Sequence, residues 1–168
     1  TFGVAPATMV FAELSVMDYP APLEPLRDIL PYFAYIMAAF AALRLAKFNL
    51  DTRQTTSFIG LPTPANALFW GSLIVGANDI IEYSPYCVFA IMAMVLVSSY
   101  IQVAELPMFA LKFKHWGWKG NEIKYIFIAT CVPLLIIFKL SAFAVIIAWY
   151  VILSVYVNIT NKEKDNNV

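Results

Sequence analysis

Metal and redox chemistry have little to work with in this sequence. It holds one histidine, His115, and two cysteines, Cys87 and Cys131. Both cysteines lie inside apolar runs without motif spacing, which reads as packing and not as a disulfide framework or a metal site. A lone His115 cannot build a histidine-based metal centre. Charge is also scarce, at 13% of residues, and 11 basic side chains balance 11 acidic ones. That balance gives no basic excess for nucleic acid, which is not an expected partner. Internal repeats and low-complexity tracts are missing, and so is a basic leader ahead of a small-residue cleavage site. A signal peptide is therefore not expected. Because Thr1 opens directly into apolar sequence, the expectation is a processed or truncated chain.

What the sequence has in abundance is apolar residues, 61% of the total, with a mean hydropathy of +0.73. A soluble domain averages about 45–50%. The excess falls into six runs: 2–17, 29–46, 61–77, 85–103, 123–138 and 142–159. Several are 16–19 residues long, near the roughly 20 residues that cross a bilayer as a helix. No barrel-like alternation is visible, and lipid leaves an unpaired backbone unsatisfied, so helices are required. The expected fold is all-α, a polytopic membrane bundle of about six helices over residues 1–160, the first truncated. A polar, disordered tail follows over 161–168. Placing the chain start in the cytoplasm puts Arg44, Lys47, Arg53, Lys112, Lys114, Lys119, Lys124, Lys162 and Lys164 on that side. Only Arg27 and Lys139 fall on the other. By the positive-inside bias, both chain ends face the cytoplasm. Tyr32, Tyr83, Tyr86, Trp116 and Trp118 near the run ends suit an interfacial belt.

Between the second and third runs lies Arg44-Leu45-Ala46-Lys47-Phe48-Asn49, then Gly60-Leu61-Pro62-Thr63-Pro64-Ala65. Arg44 and Lys47 are three apart and share a helical face. They read either as snorkelling anchors or as a phosphate clamp, since a guanidinium matches phosphate oxygens bidentately. Pro62 and Pro64 suit the first turn of a helix, whose free N–H groups also attract anions. Gly3 and Pro6 in Gly3-Val4-Ala5-Pro6-Ala7 read as close packing and a helix kink. Glu13 is expected near the outer end of its helix, at the interface. The stretch from Glu105 to Lys119 mixes bases with aromatics, as an interfacial loop does.

Taken in order, Phe2-Gly3-Val4-Ala5-Pro6-Ala7, Arg44-to-Asn49 and Gly60-to-Ala65 resemble the bacterial phosphatidylserine synthases of the CDP-alcohol phosphatidyltransferase superfamily. Pro107-Met108-Phe109 leading into Leu111-Lys112-Phe113-Lys114 looks like the family's later cytoplasmic loop. The resemblance spans essentially the whole chain. It implies transfer of a phosphatidyl group from CDP-diacylglycerol to L-serine, at the cytoplasmic face of the cell membrane, by a homodimer. It also implies a divalent metal, Mg²⁺ or Mn²⁺. The superfamily signature, Asp-x-x-Asp-Gly-x-x-Ala-Arg followed by Gly-x-x-x-Asp-x-x-x-Asp, supplies the metal ligands and the base, and it does not occur here. In the family it ends just before the segment matching Phe2 to Ala7. The expectation is thus that metal ligands and base lie upstream of Thr1, and that this segment alone is inactive. No catalytic or metal residue is assigned within it. Arg44, Lys47, Asn49, Gly60, Pro62 and Pro64 are the candidates for holding the CDP-diacylglycerol phosphates or the serine carboxylate, with Gly3 and Pro6 packing nearby. The alternatives are another alcohol acceptor, such as glycerol phosphate, inositol phosphate or choline, or a transporter or scaffold without chemistry.

Overall fold

The computed structural model describes residues 1–50, 58–81, 85–108, 117–118 and 121–166. These residues form α1 (Val4–Val16), α2 (Ile36–Leu50), α3 (Thr63–Ile81), α4 (Cys87–Val103), α5 (Glu122–Phe138) and α6 (Ala142–Asn166). Two-residue strands β1 (Phe58–Ile59) and β2 (Pro107–Met108) pair antiparallel, Phe58 opposite Met108 and Ile59 opposite Pro107. Apart from this short ladder the described residues are all-α. The basic–aromatic segment 109–116, with Lys112, Lys114 and His115, lies outside the described residues, as do Arg53, Tyr83 and Lys119.

Each of the six apolar runs contains one helix, but the helices are unequal. Two helical stretches among the described residues are long and apolar enough to cross a membrane, Leu30–Leu50 and Glu122–Thr160. The first joins a 3₁₀ turn, Leu30–Tyr35, to α2, and Pro31 sits in that opening turn, where its missing N–H costs little. By contrast α1 has only 13 residues, a rise of about 20 Å against a hydrocarbon thickness of about 30 Å. The 39-residue stretch is not one rod. At Lys139 the chain takes φ 48° and turns back. Trp149 Nε1 then donates to Thr130 Oγ1 at 3.2 Å, and the rings of Phe127 and Tyr150 sit 5.9 Å apart. α5 and α6 are therefore the arms of a helical hairpin. Outward they present Val132, Ile136, Ile137 and Ile152.

The core gathers around α1. Its buried stripe, Pro6, Ala7, Val10, Glu13 and Leu14, follows the i, i+3, i+4 spacing of one helix face. It meets Met37 of α2, Trp70 of α3 and Val88, Ile91 and Val95 of α4. Tyr19 closes the far end, donating its hydroxyl to Leu14 O at 2.8 Å. Burial pushes the Tyr19 phenol up, with Arg27 opposing the shift.

Three local expectations are corrected. Pro6 falls in the first turn of α1, where it breaks no ladder and makes no kink. Glu13 lies in the last turn of α1, near the helix end as expected, but on the packed face and 9% exposed instead of turned outward. Finally, α6 runs on to Asn166, so the backbone of 161–166 is helical where a disordered tail was expected; Lys and Glu are good helix formers and prolong a helix already nucleated.

Candidate substrate-holding crevice

Two helix pairings set the frame. Trp70 Nε1 on α3 donates to Ser98 Oγ on α4 at 3.1 Å. Because α3 leaves the end of the bundle at which α4 arrives, one turn back on α3 and one turn on along α4 bring Asn66 and Gln102 to the same level. Beside them runs α2. Arg44 Nη1 reaches Thr63 Oγ1, the first residue of α3, at 3.5 Å. Lys47 Nζ donates to Val103 O at 3.3 Å and pairs with Glu105 Oε1 at 3.2 Å. The end of α2, the start of α3 and the end of α4 thus converge, and the place where they meet is the candidate crevice. The loops beyond it are tied together by the β1–β2 ladder and by Asn158 Nδ2 of α6, which donates to Pro107 O at 2.8 Å.

Arg44 and Lys47 therefore face the same crevice from one side of α2, Arg44 towards α3 and Lys47 towards α4. Asn49 does not join them. It lies two residues beyond Lys47, about 200° further round the helix, and is exposed. The Gly60-to-Pro64 turn is close by, but its amides are already engaged. Gly60 N–H donates to Leu106 O at 2.9 Å and Leu61 N–H to Ile101 O at 3.1 Å. Gly60 has φ +71°, and a Cβ there would stand 2.5 Å from Gln102 O. The turn is thus a clasp on the end of α4. At the start of α3, Pro64 brings no N–H, so Thr63 and Ala65 are left as the donors of that first turn. Gly3 packs against α2: an added Cβ would lie 2.7 Å from Ala41 Cβ. A cavity of about 310 Å³ opens beside it, lined by Phe2, Val4, Ala41, Ala42, Leu45 and Thr63 among others.

The crevice also holds polar groups that motif reading passed over. Asn66 and Gln102 are 2% and 1% exposed. Asn66 Oδ1, both heteroatoms of the Gln102 amide, Ser99 Oγ and Arg44 Nε are buried with no hydrogen-bond partner among the described residues. Such groups are costly in an apolar interior, about 1–3 kcal/mol each. For Ser99 and Gln102 the signal is in the fourth apolar run. Its buried face is Val88, Ile91, Val95, Ser98, Ser99 and Gln102, apolar for its first half and polar for its last.

Among the described residues no group of three His, Cys, Asp or Glu side chains could hold a metal ion. The divalent ion implied by the resemblance therefore finds no donor set there, and no step is derived through it. What the crevice can do is bind: it offers one cation with an unused N–H, a second cation held by an exposed carboxylate, and neutral amides. Comparison with protein-family models, curated proteins and solved structures finds no match to this chain.

Proposed function

We propose that the crevice is the substrate-holding part of a membrane phosphatidyltransferase, whose intact form moves a phosphatidyl group from CDP-diacylglycerol to L-serine. The observation that carries this reading is Arg44. A guanidinium half-sunk at the end of an apolar helix, with its Nε–H buried and unpartnered, is poised for an anion at membrane depth. Lys47 stands one turn away on the same helix face. The order of the Gly3–Pro6, Arg44–Asn49 and Gly60–Pro64 segments supplies the reaction class, and the crevice alone would suit other anionic substrates.

In this reading all six helices belong to a multi-pass bundle in the cell membrane, and the crevice faces the cytoplasm, where nine of the 11 basic residues fall. A homodimer is the assembly the resemblance implies. The exposed apolar faces of α2 and of the α5–α6 hairpin support contact with lipid. The acceptor hydroxyl attacks the lipid-proximal phosphorus, a P–O bond to that oxygen forms, the pyrophosphate bond to CMP breaks, and the hydroxyl proton leaves to a base. The residues of this chain bind and orient. Arg44 holds phosphate or carboxylate oxygens, Lys47 adds positive potential at the mouth, and the Gly60 clasp fixes α3 against α4.

The test is turnover by the full-length protein in proteoliposomes, measured as CMP release with CDP-diacylglycerol and L-serine. Arg44→Ala is expected to lower kcat/KM by about 10²-fold or more, equivalent to losing about 3 kcal/mol of charge-assisted hydrogen bonding. Full turnover with unchanged KM for both substrates would sink the assignment of Arg44. Turnover with another alcohol and none with serine would favour the sister reaction.

A further inference from the structure

The residues leaving the end of α4, from Val103 to Met108, take bonds from three other elements. Lys47 of α2 donates to Val103 O at 3.3 Å and pairs with Glu105 at 3.2 Å. Gly60, just ahead of α3, donates to Leu106 O at 2.9 Å. Asn158 Nδ2 of α6 donates to Pro107 O at 2.8 Å. Strand geometry explains the last bond. Successive carbonyls of an extended chain point to opposite sides. With Leu106 O turned to β1, Pro107 O therefore points to the outer edge of the ladder. Pro107 brings no N–H to that ladder, and a pairing of two residues is too short to hold itself. Asparagine is a poor helix former, and Asn158 interrupts the apolar stretch from Val155 to Ile159. Helix formation does not explain it there, and a donor to the ladder edge does.

We propose that Asn158 is a positioning residue for the crevice. Through Pro107 it fixes the strap 103–108, and the strap in turn holds Gly60 ahead of α3 and Lys47 on α2. Asn158 touches no substrate and acts only through the strap. Its helix is a suitable anchor because it stands outside the group of α2, α3 and α4 that the strap joins. α6 packs along α3, and just before its start Ser141 lies against Gly76 of α3. The far end of α6 is thereby held, and Asn158 pins the near end to the mouth of the crevice. The reaction served by this positioning rests on the phosphatidyltransferase reading, whereas the tether itself does not.

The experiment uses the full-length protein in nanodiscs and reads two quantities. One is hydrogen exchange at the Gly60 amide, and the other is CMP release with CDP-diacylglycerol and L-serine. Asn158→Leu keeps the branched shape and removes the donor. It is expected to speed exchange at Gly60 by about fivefold, as for one lost neutral hydrogen bond, and to lower kcat/KM by about the same factor. The Trp70 amide, inside α3, is expected to keep its rate. Asn158→Gln retains an amide donor and is expected to recover most of both effects. Wild-type exchange at Gly60 in Asn158→Leu overturns the positioning role, and so does faster exchange with kcat/KM unchanged. A uniform rise in exchange through α3, α4 and α6, without rescue by Asn158→Gln, is a general loss of packing and overturns it too. A wild-type protein with no serine-dependent CMP release overturns the phosphatidyltransferase reading, and exchange at Gly60 then decides the tether on its own.

Discussion

Gly60→Ala is the substitution whose cost follows most directly from geometry. Gly60 is the only glycine among the described residues with a left-handed φ, +71°, and an L-residue there loses about 1–2 kcal/mol. Its Cβ would also meet Gln102 O at 2.5 Å and Ala104 O at 3.0 Å. Both are backbone atoms at the end of α4, which cannot swing aside as a flexible side chain would. Relief requires the clasp to retreat, stretching the Gly60–Leu106 and Leu61–Ile101 hydrogen bonds. Overpacking of this kind costs about 1–3 kcal/mol, so the total is about 2–5 kcal/mol. The assay is detergent unfolding of the full-length protein followed by tryptophan fluorescence, with Trp70 as the fully buried reporter. Gly71→Ala is the matched control. It lies inside α3 with nothing within 4 Å of its added Cβ, and it is expected to gain up to about 1 kcal/mol from helix propensity. If Gly60→Ala unfolds within about 0.5 kcal/mol of wild type, the range of an inert surface change, the clasp geometry is refuted.

Gly76→Ala should separate α3 from the α5–α6 turn, because its Cβ would run into the Ser141 side chain. A loss of about 1–3 kcal/mol is expected. The double variant with Ser141→Gly should recover part of it, Ser141 Cα still standing 2.9 Å from the added Cβ, and strict additivity in that cycle would contradict the contact. Glu105→Gln removes the carboxylate paired with Lys47. With the two side chains 44% and 64% exposed, the pair is solvent-screened and should contribute under about 1 kcal/mol. Its effect is expected instead in turnover, as a lower KM for the anionic lipid substrate once Lys47 is released. An unchanged KM would mean that Lys47 does not reach that substrate.

The helices were legible in the sequence because lipid-sized apolar runs allow few other backbones, and α4 and α5 fall within two residues of their runs. The turn of the α5–α6 hairpin was legible too, as the break in apolarity at Lys139. Depth and length were less so: α1 is apolar beyond its helical ends, and hydropathy does not report where the helix starts. The candidate site is legible in the sequence only where charge marks it, for a physical reason. Charged residues announce themselves against an apolar background, so Arg44 and Lys47 stood out. Asn49 was grouped with them by proximity in sequence, although two residues on a helix carry a side chain to the far face. The Gly60 turn looked like an anion nest because its amides are free in sequence. Only the tertiary pairing shows that Leu106 and Ile101 take them.

Neutral polar residues make up the rest of it. Asn66, Ser99 and Gln102 carry no charge and match no motif, yet in an apolar interior an unpaired amide is as conspicuous energetically as a charge near the surface. A bundle selected for stability alone would replace Gln102 by Met or Leu, with gain and without strain, since the amide contributes no hydrogen bond among the described residues. Packing therefore does not account for the polar end of α4. Under the proposed function a ligand that completes those hydrogen bonds does, and the three helix ends that the Gly60 clasp and the Arg44–Thr63 contact hold together are the ones it would bridge. Under the proposed function, the crevice and the stability cost of its amides are two consequences of one requirement, binding a polar molecule.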